Sequence, residues 1–262
     1  MSTKLTSLVT THYILLARSF VIILGCIAVW WGIVEFPVFW RESSAESIAD
    51  RIIAGDPFKV EILGRQLPII NSIETSAYCR PAAIRSVAII QLRMVEAAAS
   101  ANDREYVDEH LKSLGNVIRS SLFCSPADSF LWLVLFWIEN TQNGPIPAHL
   151  RYLRMSYQLG PNEGWIALKR NGVAFAIFQQ LPPDLGESTI NEFTALLETT
   201  FYEAAAVIFI GPAWPERELI LSHLTRISDR DRQLFADALF RRGYDVNVSG
   251  VARQDLRPWR EP

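Results

Sequence analysis

An uninterrupted apolar run near the N-terminus constrains this chain more than any other feature of its sequence. Residues 20–34 read FVIILGCIAVWWGIV, with Arg18 before the run and Glu35 directly after it. As a helix, such a run covers about 22 Å, less than the hydrocarbon core of about 30 Å. Apolar residues continue beyond both charged residues, and the long Arg18 side chain can extend its charge to the lipid headgroups. We therefore predict a transmembrane helix over residues 19–40.

Aromatic and charged residues mark the predicted ends of this span. Trp30, Trp31 and Trp40 gather towards its C-terminal end, and indole rings favour the boundary between membrane and water. We interpret Glu35 as the exit from the hydrocarbon core rather than as a functional carboxylate inside the membrane. Together with Arg18, these residues are expected to lie at the membrane interface.

The charges that flank the span predict its orientation. Lys4 and Arg18 lie on the N-terminal side, and no acidic residue precedes Glu35. On the C-terminal side, Arg41 and Arg51 are balanced by acidic residues: Glu42, Glu46 and Asp50. The positive-inside rule then places residues 1–18 in the cytoplasm and the remaining chain outside. In a bacterium, this is a single-pass protein of the inner membrane with its C-terminal domain in the periplasm.

A cleaved signal peptide is the alternative interpretation of the same segment. The small residues Ser43, Ser44 and Ala45 could form a cleavage site. However, the apolar region is longer than the core of a typical signal peptide, and charged residues lie between it and this site. An uncleaved signal anchor is therefore favoured.

The composition limits what the remaining chain can be. The protein has 262 residues, half of them hydrophobic, and a formal net charge of −3. The part outside the span is long enough for one large or two small domains. A mildly acidic chain does not have the basic surface of a nucleic-acid binder. The expected partners are the lipid bilayer and other membrane or periplasmic proteins.

Apolar residues at three- and four-residue steps predict an all-α body of helical hairpins over residues 43–243. Pro81 begins one helix that ends near Ser100, and a second helix spans 104–123. Further helices are predicted at 129–140, 148–159, 163–181, 187–210, 216–227 and from 229 to Gly243. A helix is also expected to start at Ser43 or Ser44, and residues 58–70 could be strand or helix, with helix preferred. The tail, residues 244–262, is predicted to be extended and ordered in part by Trp259.

Two similar five-residue segments, each at a predicted helix boundary, occur in the middle of the helical body. Residues 124–128 (CSPAD) and 159–163 (LGPNE) are offset by 35 positions, and each combines a helix end, a proline and a polar N-cap residue. Between the two prolines, Ala148 is followed four residues later by Tyr152. This segment resembles a tetratricopeptide repeat, whose helix–turn–helix unit has about 34 residues. The resemblance covers residues 126–165 and implies an irregular α-solenoid, although Trp137 replaces the usual small residue.

Two cysteines lie at opposite ends of one predicted hairpin. Cys79 precedes its first helix and Cys124 follows its second, and antiparallel helices bring such ends together. A disulfide there would suit an exported domain. Two buried free thiols are the alternative.

The sequence contains few signs of chemistry. The four histidines have no metal-ligand spacing, and we find no recognisable catalytic, phosphate-binding or cofactor motif. No cofactor or metal is predicted. One basic cluster (Arg151, Arg154, Lys169, Arg170) could converge on a groove and bind an anionic group, or it could be an ordinary solvated face. The tryptophans of the repeat, Trp132, Trp137 and Trp165, are interpreted as core residues rather than sugar-stacking residues.

We therefore expect a non-catalytic, membrane-anchored protein-interaction scaffold, accessory to envelope or polysaccharide assembly or export. An enzyme acting on envelope glycans or peptidoglycan is one alternative, and it would require a cleft that holds a carboxylate near a histidine. The other alternative is a structural subunit of a larger membrane complex, in which the anchor packs against partner helices.

Overall fold

The computed structural model describes residues 2–75 and 80–251, and every regular element in these two stretches is helical. The α-helices are α1 (Ser2–Ile53), α2 (Val60–Gly64), α3 (Leu67–Glu74), α4 (Pro81–Ser100), α5 (Arg104–Cys124), α6 (Ser129–Asn143), α7 (Pro147–Leu159), α8 (Gly164–Ala176), α9 (Pro183–Leu197), α10 (Tyr202–Ile210), α11 (Arg217–His223) and α12 (Asp229–Arg241). Short 3₁₀ turns cover Phe178–Gln180, Trp214–Glu216 and Leu224–Arg226. The predicted all-α class is confirmed.

The chain divides into two compact units between residues 77 and 78. In the first unit, the C-terminal part of α1 packs against α3. Ala45 and Ala49 lie one helical turn apart and are buried, as are Ile70 and Ile73 of α3. The two alanines suit this contact because a methyl group lets a neighbouring helix approach closely.

The predicted helix start at Ser43 or Ser44 is wrong, because α1 is continuous from Ser2 to Ile53. The Ser43 hydroxyl donates to the Trp40 carbonyl at 3.0 Å, so it bonds within the helix and does not cap a new one. Pro37 also lies inside α1, where it removes one backbone hydrogen bond without ending the helix. The helix ends at Ile53, and Gly55 just beyond it has a positive φ of 92°.

The second unit is built from neighbouring helix pairs. Helices α4 and α5, α6 and α7, and α8 and α9 pack as consecutive pairs, and α10 packs against α12. The first helices of these pairs, α4, α6, α8 and α10, also contact one another in succession. The predicted bounds of α4 and α7 agree with the structure to within one residue.

The C-terminal half of this unit has an aromatic core. Phe193, Phe209 and Phe235 are fully buried and come from α9, α10 and α12. The Phe209 and Phe235 ring centroids are 5.3 Å apart with an edge-to-face angle of 89°, and Phe193 meets Phe235 edge to face at 5.9 Å. Such contacts stabilise a core beyond simple apolar burial. They join α9, α10 and α12.

The polar residues at the two similar junctions, Asp128 and Glu163, have different roles. At the first, Asp128 caps α6 and accepts hydrogen bonds from the Phe130 and Leu131 amides, both at 3.1 Å. At the second, the Glu163 side chain accepts instead from the Ser129 hydroxyl at 3.0 Å, and so connects the starts of α6 and α8. Gly160 lies so close to Ser129 that an added Cβ would be 2.3 Å from its hydroxyl oxygen. Only glycine fits at this contact.

The single helix predicted over 187–210 is in fact two helices, α9 and α10. The break coincides with Thr199, whose hydroxyl donates to the Leu196 carbonyl at 2.8 Å and accepts from the Phe201 amide at 3.4 Å. Threonine side chains compete in this way with backbone hydrogen bonds. The apolar pattern continues across the break because both helices bury one face in the same core.

Candidate functional site

One segment of α1 is long and apolar enough to cross a membrane. It spans Ala17–Pro37, has a mean hydropathy of 2.1, and none of it is buried inside the protein. Trp30, Trp31 and Trp40 each expose about two thirds of their surface, at 68%, 67% and 67%. Arg18 is exposed at the start of the segment, and Glu35 lies half-buried near its end. These side chains are placed where lipid can contact them.

The predicted basic cluster does not form one surface. Arg151 is exposed and donates to the Tyr152 hydroxyl at 2.9 Å, and this bond raises the pKa of Arg151. Arg154 pairs with Asp184 of α9 at 2.8 Å, and Lys169 is exposed on α8. Arg170 is fully buried. The prediction that Arg170 joins an exposed anion-binding patch is therefore wrong.

Arg170 is instead the centre of a buried polar network. From α8, its guanidinium donates to the Ser156 carbonyl at 2.6 Å and to the Gly160 carbonyl at 2.9 Å. On the other side it pairs with Glu192 of α9, with Nε 3.0 Å from Oε1. The charged group thereby binds two carbonyls at the end of α7 and connects α7, α8 and α9. Arginine suits this role because its planar fork presents several donors in fixed directions.

Neighbouring polar groups complete the network. Tyr157 lies against the guanidinium, whose Cζ is 4.4 Å from the ring centroid. The Thr189 hydroxyl donates to the Leu185 carbonyl at 2.7 Å, so the Tyr157 hydroxyl is the donor in its 3.1 Å contact with Thr189. The Asn171 amide donates to the Thr189 carbonyl at 2.9 Å.

Burial governs the electrostatics of this network. It raises the pKa of Tyr157, whose hydroxyl stays protonated. Burial also raises the pKa of the Glu192 carboxyl, while the hydrogen bonds and charge of Arg170 oppose the rise. The paired groups are fixed inside the fold, so the arrangement serves to align helices.

Glu192 and Thr189 were not predicted as partners of Arg170, although the sequence contains a signal for Arg170 itself. Arg170 follows Ile166 and Ala167 and precedes Ala174 at helical three- and four-residue steps. All three neighbours are buried. The spacing therefore assigns Arg170 to the core face of α8, where a charged group requires a partner.

Three described histidines are held by backbone carbonyls. Nδ1 of His110, His149 and His223 contacts the carbonyl of Tyr106, Gly144 and Leu219, respectively, at 2.9, 3.0 and 2.9 Å. A carbonyl only accepts, so each Nδ1 donates. Within the described residues no group of three or more histidine, cysteine or acidic side chains could hold a metal ion.

His149 lies beside a carboxylate. Its Nε2 is 3.5 Å from Oε2 of Glu139, and this carboxylate also pairs with Arg119 of α5 and accepts from the Asn143 amide at 3.1 Å. The cluster ties α5 and α6 to the start of α7. The groups that could act as acid and base are thus already engaged in holding helices together.

The tryptophans of the repeat take part in packing between helices. Trp132 stacks on Tyr152 with a centroid distance of 5.7 Å, and its indole nitrogen donates to the Pro126 carbonyl at 2.8 Å. Trp165 packs on Phe130 at 4.9 Å. Trp137, like the other two, is half-buried rather than fully enclosed.

The predicted disulfide stays a prediction, because Cys79 lies outside the described residues; Cys124 ends α5. Cys26, the cysteine of the apolar segment, is a free thiol. No protein-family model, curated protein or solved structure matches this chain.

Proposed function

We propose that this chain is a non-catalytic, membrane-anchored scaffold that binds other proteins of a bacterial envelope. The observation that carries the proposal is the apolar Ala17–Pro37 segment, none of which is buried although the same helix packs against α3 further along. Water-exposed apolar surface of this extent is unfavourable. Lipid is its natural environment.

The orientation follows from the flanking charges. Lys4 and Arg18 lie on the N-terminal side of the segment, which favours a cytoplasmic N-terminus and a periplasmic helical body. An oxidising compartment would also allow the Cys79–Cys124 bond. Such a bond would close a long loop and add about 3–4 kcal/mol of stability.

The binding role is supported by the way in which the helix pairs stack. Successive contacts among α4, α6, α8 and α10 are those expected of a tetratricopeptide-like solenoid. Solenoids offer extended surfaces that capture segments of other proteins. Partners in envelope or polysaccharide assembly or export belong to the compartment that we propose.

The enzyme alternative has one observation in its favour, the contact between Glu139 and His149. Both groups are also bound by neighbouring residues, Arg119 and Asn143 on the carboxylate and the Gly144 carbonyl on the ring. A substrate would have to displace these contacts. We therefore favour the scaffold.

Crosslinking in intact cells tests the proposal. A photoreactive amino acid would replace exposed residues of the helical body, for example Gln158 and Asn191, and buried Ile166 would serve as the control position. We expect specific protein adducts from the exposed sites that are recovered with membranes. Adducts that are absent, or equally abundant from Ile166, would contradict the scaffold role.

A second measurement separates the scaffold from a membrane-complex subunit. An unrelated transmembrane helix would replace residues 17–37 and leave the body unchanged. We expect the same crosslinked partners, because the body carries the binding surface. Loss of the partners with normal membrane insertion would favour the subunit alternative.

A further inference from the structure

The segment that follows α12 contains a short sequence pattern of known chemical meaning. Residues 245–249 read DVNVS, so that Asn247 is followed two positions later by Ser249. The pattern Asn-x-Ser/Thr, in which x is not proline, is the one at which saccharides are attached to asparagine in exported proteins. No other asparagine of the sequence has serine or threonine at this position. The pattern therefore occurs once in the chain.

The structure directs the polar residues of this pattern outward. The segment has no regular secondary structure, and burial alternates along it: Asp245, Asn247 and Ser249 are exposed, whereas Val246 is half-buried and Val248 is buried. Both valines pack against the core of the second unit. Successive side chains of an extended chain point to opposite sides. The valines thus hold the segment on the body, while the three polar side chains face away from it.

The side chains that would take part in glycosylation are not engaged elsewhere in the fold. Within residues 2–75 and 80–251, no hydrogen bond involves the side chain of Asn247 or Ser249. The side-chain amide of buried Asn171, by contrast, donates to the Thr189 carbonyl at 2.9 Å. The amide nitrogen of Asn247 can therefore react without loss of a contact that holds helices together.

The backbone of the segment is held mainly at its two ends. The Tyr244 amide donates to the Leu239 carbonyl at 3.1 Å, and the Val251 amide donates to the Val248 carbonyl at 3.1 Å across a turn. Between these bonds, no amide of residues 245–250 donates to a backbone carbonyl of the described chain. A segment with so few backbone hydrogen bonds detaches locally at low cost in free energy. An enzyme can then bind its backbone as well as its side chains.

We propose that Asn247 is a site of N-linked glycosylation, and that the transferase recognises it through Asp245 and Ser249. In this reaction, the Asn247 side-chain nitrogen forms a bond to the anomeric carbon of a saccharide that is carried on a lipid diphosphate. The bond from that carbon to the diphosphate oxygen breaks, the lipid diphosphate leaves with the electron pair, and the nitrogen loses one proton to solvent. The Asp245 carboxylate can pair with a cation of the enzyme, and the Ser249 hydroxyl can form a hydrogen bond with it.

The inference rests on the proposed function, because the pattern is used in exported proteins and the helical body must therefore lie outside the cytoplasm. An attached saccharide is bulky and hydrophilic, so it has to point into solvent. The exposed side chain of Asn247 meets this requirement. The aromatic core of α9, α10 and α12 does not include it, so the fold can accept the addition.

Mass spectrometry of the protein purified from membranes of its own organism tests the proposal. Trypsin cleaves after arginine and releases residues 243–253 as one peptide. We expect this peptide to carry a saccharide on Asn247, and we expect N247Q and S249A each to abolish the added mass. S249T keeps the hydroxyl and should retain the saccharide. N191Q removes an exposed asparagine outside the pattern and should leave the modification unchanged.

The role of Asp245 has its own variant. We expect D245N to lower the modified fraction of the peptide, because it removes the charge and keeps the size of the side chain. An unchanged modified fraction would overturn recognition through Asp245. A saccharide that persists in S249A would overturn recognition through Ser249.

A C-terminal fusion to alkaline phosphatase measures the orientation separately, because the disulfides of this enzyme form only outside the cytoplasm. We expect an active fusion together with a modified peptide. An active fusion with an unmodified peptide would overturn the glycosylation site and leave the proposed orientation standing. An inactive fusion with an unmodified peptide would overturn both.

Discussion

At the scale of single residues, the environment of an arginine determines what it contributes. Arg154 and Arg170 both belong to the predicted basic cluster, and both pair with a carboxylate of α9. Arg154 remains 40% exposed, whereas Arg170 is fully buried. Exposed pairs contribute little because water competes for both charges, while a buried charge that loses its partner is strongly destabilising.

We expect Arg170→Met to lower the free energy of unfolding by about 3–5 kcal/mol, because Glu192 would remain buried without its partner. Arg154→Met is the matched control, with an expected loss of at most about 1 kcal/mol. Urea denaturation followed by tryptophan fluorescence would measure both. Equal losses in the two variants would contradict the assignment of Arg170 to the core.

Glu203 should govern part of the acid sensitivity of the second unit. Hydrogen bonds from Arg242 and Arg241 lower the pKa of Glu203. A lowered pKa means that the carboxyl stabilises the fold above the ordinary pKa of glutamate, and that this contribution is lost as the pH falls through the lowered value. The side chain is 43% exposed, so the effect is at most about 1 kcal/mol and decreases with added salt.

Glu203→Gln removes the charge at nearly constant volume. We expect the variant to show a smaller decrease of the urea midpoint between pH 6 and pH 3 than the wild type, with a gap that narrows at high salt. Glu187→Gln, an exposed site on α9, should behave like the wild type. An unchanged pH profile for Glu203→Gln would show that the pairs do not stabilise the fold.

At the scale of elements, caps decide where helices begin and how they are joined. Asp103 caps α5 through one hydrogen bond, to the Tyr106 amide at 3.2 Å, and it is exposed. Asp128 caps α6 through two hydrogen bonds, is buried, and also pairs with Arg85 of α4 at 2.9 Å. Asp128 thus both caps the start of α6 and connects α6 to α4.

We expect Asp128→Ala to lower the free energy of unfolding by about 2–3 kcal/mol, since it removes a cap and leaves Arg85 without its partner. Asp103→Ala should cost about 1 kcal/mol, the typical contribution of an exposed cap. Asp128→Asn should lie between them, because the amide oxygen still caps the helix. Similar losses for Asp103→Ala and Asp128→Ala would show that the contact with α4 contributes nothing.

At the scale of the whole molecule, exposed apolar surface is concentrated in α1. Ile27 is 57% exposed there, and Val207 of α10 is 53% exposed. The two residues have similar accessibility but different surroundings in sequence. Of the two, only Ile27 lies within an apolar segment that is long enough to cross a membrane.

Ile27→Arg should reduce membrane integration, because a charged residue at the centre of a span costs about 2.5–3.5 kcal/mol. Val207→Arg should leave integration unchanged. The measurement is the fraction of each full-length protein that stays with membranes after alkaline extraction. Integration that is unaffected by Ile27→Arg would contradict the anchor.

Much of the fold could be predicted because its signals are local. Pro81, the Ser228 cap and Gly243 mark helix ends within a few residues of chain, and the structure places ends there. Local signals gave wrong helix boundaries at Ser43 and Thr199, because a serine or threonine hydroxyl can form hydrogen bonds within a helix or interrupt it. Neighbouring helices and the core settle that choice.

The apolar segment, the all-α class and most helix ends could be predicted from the sequence, since they depend on hydrophobic runs, spacing and caps. The roles of the polar residues depend instead on how the helices pack. Arg170 and Glu192 are 22 positions apart, and they meet because α8 and α9 pack against each other. The helical spacing of Arg170 places it on the core face of α8, but its neighbours in sequence do not identify the partner that its charge requires. Packing of α8 against α9 brings the partner within hydrogen-bond distance and so determines the role of the residue.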